Sequence, residues 1–129
     1  MIREAIYNRM AQRGINQTKL CNDLGLLPQN ISAFLRGHRG IPYSALIKIL
    51  DYLGLTFSSD GKASDLPNER VNIFFKDIIK GKYGKINLFV KNSGISGSTV
   101  SSFLSGKRHP SYFILEKMTQ KLNIDIVKR

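Results

Sequence analysis

The sequence is short of several things at once. Its 129 residues include a single cysteine, Cys21, so no internal disulfide can form, in keeping with a reducing compartment. The two histidines, His38 and His109, stand far apart and make no metal-ligand spacing with that one cysteine. With only 4 prolines and no run of one residue type, the chain does not read as disordered. No apolar run approaches the roughly 20 residues that span a bilayer. The opening residues Met1-Ile2-Arg3-Glu4 lack the apolar core of a signal peptide, so a cytoplasmic location is the default expectation. A nucleophile with base and orienting partner, a carboxylate pair and a phosphate-binding glycine loop are all missing. An enzyme is therefore not expected, nor a cofactor or metal.

Acidic residues are scarce as well. Nine Asp plus Glu stand against 20 Lys plus Arg, for a net charge of +11. Such a field attracts polyanions, and an isoelectric point near 10.1 is a footprint expected of a nucleic-acid-binding domain. The excess is shared along the chain. Residues 1–59 hold seven basic and three acidic side chains, and residues 60–129 hold thirteen and six. Charge does not separate DNA from RNA.

What the chain does have is a repeat. A shift of 69 residues aligns residues 25–53 with 94–122 without a gap. The identities are Gly25/Gly94, Ser32/Ser101, Phe34/Phe103, Leu35/Leu104, Gly37/Gly106, Arg39/Arg108, Tyr43/Tyr112, Leu46/Leu115, Lys48/Lys117 and Leu53/Leu122. Ten matches in 29 positions in one register is hard to reach by chance, so two copies of one unit are expected. Residues 58–68 between them are small and polar and read as a linker. The expected division is 1–57, a linker at 58–68, and 69–129.

Each copy reads as about four short helices. Ile2, Ala5, Ile6 and Met10 form an amphipathic stripe, with Gly14 placed to end it. Asn16 can cap a second helix that buries Leu20, Cys21 and Leu24 and stops at Gly25. Pro28 suits the first turn of a third helix, to about Leu35, that buries Ile31 and Phe34. A fourth buries Leu46, Ile49, Leu50 and Leu53. The second copy follows with Val71, Phe74, Phe75, Ile78 and Ile79, then Phe89 and Val90, then Val100, Phe103 and Leu104, then Leu115, Met118 and Leu122. Ser96 is expected to cap its third helix. The start of its second helix is ambiguous, because Lys85 and Ile86 replace Asn16 and Gln17. After each bundle comes an alternating segment, Leu55-Thr56-Phe57-Ser58 and Ile124-Asp125-Ile126-Val127. A lone strand cannot satisfy its backbone, so these two are expected to pair with each other. The fold class is thus mostly α: two tandem helix-turn-helix bundles joined by a short β pairing.

Two short helices at a tight glycine turn, the second polar on its outer face, suit the major groove of DNA. The segments Gln17-Thr18-Lys19-Leu20-Cys21, Gly25-Leu26, Ile31-Ser32 and Gly37-His38-Arg39 resemble the Cro and phage-repressor, or XRE, family of helix-turn-helix proteins. So do Gly94-Ile95-Ser96, Thr99-Val100-Ser101 and Gly106-Lys107-Arg108-His109-Pro110-Ser111. The resemblance implies recognition helices at about 28–35 and 97–104. It implies base-facing roles for Gln29, Asn30 and Ala33 and for Ser98, Thr99 and Ser102. Amides such as Gln29 and Asn30 can pair bidentately with adenine, whereas hydroxyls are less selective. Phosphate contacts are implied for Gln17, Ser32, Arg36 and Arg39 and for Ser101, Lys107 and Arg108. Ile86 in place of the family's glutamine puts one such contact in question in the second copy. The implied function is a double-stranded DNA-binding transcriptional regulator, in particular a repressor. Family members bind as dimers; two units in one chain leave both a homodimer and a monomeric pseudo-dimer open. An antitoxin-type regulator, or an interaction module whose second copy no longer binds DNA, are the alternatives.

Overall fold

A computed structural model describes residues 2–129; residue 1, the expected start of the first unit, lies outside the described residues. Glycine and asparagine caps between apolar stripes divide the chain into eight α-helices and three strands among the described residues. The first group is α1 (Ile2–Arg13), α2 (Gln17–Leu24), α3 (Pro28–Leu35), α4 (Tyr43–Leu53) and β1 (Leu55–Ser59). A short strand β2 (Lys62–Ala63) and a single 3-10 turn at Asn68–Arg70 follow. The second group is α5 (Val71–Tyr83), α6 (Ile86–Ser93), α7 (Gly97–Leu104), α8 (Tyr112–Leu122) and β3 (Ile124–Lys128). The last four elements of the second group begin and end 69 residues after their counterparts in the first.

Local chemistry explains the boundaries. The Asn16 side chain accepts the Lys19 N–H at 2.8 Å and so satisfies one orphan donor at the start of α2. Gly25 and Gly94 end α2 and α6 in left-handed backbone, where a side chain would be strained. Ser111 caps α8 by accepting the Ile114 N–H. Ser96, expected as a side-chain cap, precedes α7 without capping it; its hydroxyl pairs instead with that of Ser98 at 2.9 Å. The ambiguous second helix of the later copy starts at Ile86, with no side-chain cap.

The sheet has the order β2-β1-β3 and is antiparallel throughout. The expected pairing of the two post-bundle segments is present, running from Leu55 opposite Lys128 to Ser59 opposite Ile124. Its central pair is Phe57 and Ile126, which lie at equivalent positions of the repeat. A strand paired with its own counterpart, centred on equivalent residues, is the mark of a local twofold relation. The aromatic contacts across the molecule obey the same relation. Phe34 meets Tyr112 edge-on at 4.9 Å between ring centres, and Phe103 meets Tyr43 in the same manner at 6.2 Å. One continuous hydrophobic cluster, from Ile2 to Ile124, draws on both groups.

The segment expected as a linker departs from that reading. Ser58 and Ser59 complete β1, Asp60 and Gly61 make a two-residue turn with φ of 51° and 79°, and Lys62–Ala63 return as β2. Positive φ at both turn residues matches the twist of a hairpin. Beyond it, Asn68 is 2% exposed and acts as a hub. Its amide nitrogen donates to the Leu55 carbonyl at 2.7 Å and to the Asp51 carboxylate at 2.9 Å, while its oxygen accepts from Thr56 at 2.9 Å. Small polar residues resemble a flexible connector when their partners are out of view. Here those partners are supplied by α4 and β1.

Candidate nucleic-acid interface

In the first group, α2 and α3 meet across Gly25 and half-buried Leu26. Ile31 and Phe34 turn inward, at 2% and 0% exposure. The opposite face of α3 carries Gln29, which is exposed, and Asn30, Ser32 and Ala33, which are half-buried. Gln17 stands exposed at the first position of α2, where the helix dipole and free N–H groups favour an anion. Arg36 and Arg39 are exposed in the loop that follows α3. These six expected site residues and Ala33 therefore share one side of the two-helix unit or its rim.

Arg39 is placed with more definition than a solvated loop cation. Its guanidinium donates to the Asn30 side-chain oxygen at 3.3 Å. Its carbonyl accepts from Arg3, whose Nε also donates to the Phe34 carbonyl. Arg3 in turn lies over the rings of Phe34 and Tyr112, at 5.1 and 5.2 Å from their centres. The next residue, Gly40, is pressed against the second group: a Cβ there would fall 2.8 Å from the Tyr112 Cβ. The loop is thus held from both sides.

The second group presents the corresponding surface with different chemistry. Ser98 and Ser101 are exposed on α7, and Thr99 and Ser102 are half-buried. With Arg108, Ser111 and Ile114, the residues Ser98, Thr99 and Ser102 line a groove of about 320 Å³. Lys107 and Arg108 are exposed, their backbone N–H groups bonded to the Ser102 carbonyl. His109 tilts against the Tyr43 ring at 4.4 Å, so it belongs to the contact between the groups as well as to the basic loop. Ile86, at the position of Gln17, is half-buried against the core and offers no amide to a phosphate.

Two exposed apolar residues were not singled out by the sequence. Leu27 is 58% exposed immediately before α3, and Phe113 is 55% exposed beside Gly40. Leucine at a turn and phenylalanine at a helix start carry the same signal as core residues, so only the structure separates them. The remaining charges near the site are largely matched. Lys19 and Asp23 are 3.1 Å apart on α2, and Tyr52 also donates to Asp23. That Tyr52 hydrogen bond, and then Lys19, hold the Asp23 carboxyl below its usual range. Cys21 is buried, which pushes its thiol up, and it packs as a small apolar side chain. Among the described residues no three His, Cys, Asp or Glu side chains gather as a metal site, and no helix is long and apolar enough to cross a membrane.

A two-helix unit with a glycine turn, a polar outer helix and a basic loop defines the helix-turn-helix class of DNA-binding domain. More narrowly, residues 5–58 match the family model of the Cro/C1-type HTH DNA-binding domain. The chain therefore carries one such domain in its first group, and DNA is the partner that domain implies. No curated protein and no solved structure matches the chain.

Proposed function

We propose that the chain is a sequence-specific transcriptional regulator, a repressor and not an enzyme, that reads double-stranded DNA with two units, 1–57 and 69–129. In this reading the second unit is a tandem copy of the first. α3 and α7 enter the major groove, with Gln29, Asn30 and Ala33 facing bases in one half-site and Ser98, Thr99 and Ser102 in the other. Gln17, Ser32, Arg36 and Arg39, and Ser101, Lys107 and Arg108, grip phosphates on either side. The observation that carries the reading is the reciprocal contact of Phe34 with Tyr112 and of Phe103 with Tyr43, around equivalent strands paired at Phe57 and Ile126. It gives one chain the symmetry that other helix-turn-helix proteins obtain by dimerising. A twofold pair of recognition helices fits half-sites about 34 Å apart on one face of the duplex.

A monomer then occupies a whole operator whose halves differ, because amides and hydroxyls do not read alike. Selection from a random DNA pool, followed by footprinting at one chain per duplex, tests this. Two protected half-sites of unequal sequence are expected, with affinity falling steeply as salt rises. Protection of one half-site only by the monomer would leave α7 an accessory surface. Ser96 bonded to Ser98 and Ile86 in place of glutamine are the features that favour that second reading.

A further inference from the structure

We infer that Arg39 is a positioning residue that sets the base preference of Asn30, turning it from adenine towards guanine. The inference rests on the proposed reading of DNA by α3. Arginine has donors only, so the Asn30 atom facing the Arg39 guanidinium at 3.3 Å must be the amide oxygen. A bidentate pair with adenine needs both ends of the amide: the oxygen accepts from N6 and the nitrogen donates to N7. With its oxygen held by Arg39, Asn30 offers the groove its NH₂ alone. Guanine shows two adjacent acceptors, N7 and O6, and no donor at that edge. Adenine would set its own N6–H₂ against the Asn30 donor.

The arrangement is built in before DNA arrives. Arg3 holds the Arg39 carbonyl, and Arg3 is itself fixed between the Phe34 carbonyl and the rings of Phe34 and Tyr112. Gly40 allows the loop to lie against Tyr112 without a clashing Cβ. The second group supplies none of this. Thr99 replaces Asn30, Asn72 replaces Arg3 and bonds the Leu104 carbonyl, and His109 replaces Gly40. The oriented amide belongs to one half of the molecule.

The test compares base preferences of the unaltered full chain, Arg39→Met, Asn30→Ala and the double variant, on duplexes from the selected operator. The position whose preference disappears in Asn30→Ala is the one under Asn30. There the unaltered chain is expected to favour guanine over adenine by roughly tenfold. Arg39→Met frees the amide oxygen and is expected to reduce or invert that ratio while leaving preferences in the other half-site as they were. In the Asn30→Ala background, Arg39→Met is expected to change affinity but not preference. An adenine preference in the unaltered chain, or a uniform loss at every sequence in Arg39→Met, overturns the inference and leaves the regulator reading standing. Failure of the unaltered chain to select any sequence removes the regulator reading, and the inference with it. Arg39 is exposed, so a folding defect in Arg39→Met is not expected, and circular dichroism verifies it.

Discussion

Gly40 is a residue whose identity is dictated by a neighbour from the other end of the chain. Its own backbone needs no left-handed conformation, but a Cβ would meet the Tyr112 Cβ at 2.8 Å and the Phe113 ring at 3.4 Å. Neither a Cβ nor a packed ring can swing aside cheaply. Gly40→Ala is therefore expected to destabilise the fold by about 1–3 kcal/mol, read from urea denaturation, through overpacking alone. The same contact region makes stability sensitive to alkali. Burial pushes the Tyr43 phenol up to about 12, and burial with a hydrogen bond to Glu116 raises that of Tyr112. A folded-state value above the unfolded one means that the contribution is complete below the ordinary tyrosine range, near 10. It is lost as pH climbs from there through about 12. Denaturation midpoints should therefore fall over that interval, with Tyr43 and Tyr112 ionising as the chain unfolds, followed by phenolate absorbance.

At the scale of elements, the sheet and the turn after it are held by one buried amide. Asn68 satisfies the Leu55 carbonyl and receives the Thr56 hydroxyl, while Arg129 reaches the same cluster at 3.1 Å from Thr56 and 3.3 Å from Asn68. Asn68→Ala leaves the Leu55 carbonyl without that donor and is expected to cost about 1–3 kcal/mol, measured as a lowered denaturation midpoint. Asn16 offers a contrasting case: its cap on α2 is exposed, and Asn16→Ala is expected to cost only about 1 kcal/mol, read from the same denaturation series. The hairpin at Asp60-Gly61 was announced by its residues, since an Asp-Gly pair after an alternating segment is a strong two-residue turn signal. The surrounding serines masked it, because Ser58, Ser59 and Ser64 carry no apolar alternation although all three are buried.

For the whole molecule, a shared core makes the two groups one cooperative unit. Phe57 meets Phe75 at 5.6 Å and Phe75 meets Phe103 at 5.4 Å, so aromatic packing runs from the sheet into the second bundle. A single unfolding transition is expected by calorimetry, with van't Hoff and calorimetric enthalpies equal. Tyr112→Ala should lower that one transition and not split off the second group, since its ring packs on Phe34 of the first. Two separated melting steps would contradict it.

Helix number, helix ends and the inward faces of α1 to α8 were legible in the residues alone. They follow from apolar spacing of about 3.6 residues and from glycine, asparagine and proline at the ends, which act locally. The polar faces of α3 and α7 were legible for the same reason, and so was the tendency of two alternating segments to pair. Tertiary structure decided the rest. It brought Arg39 onto Asn30, Gly40 onto Tyr112 and His109 onto Tyr43, and it buried the serines and asparagine of residues 58–68. Those outcomes depend on partners distant in the chain, and a side chain carries no mark of which distant group will satisfy it or exclude it until the core has closed around both.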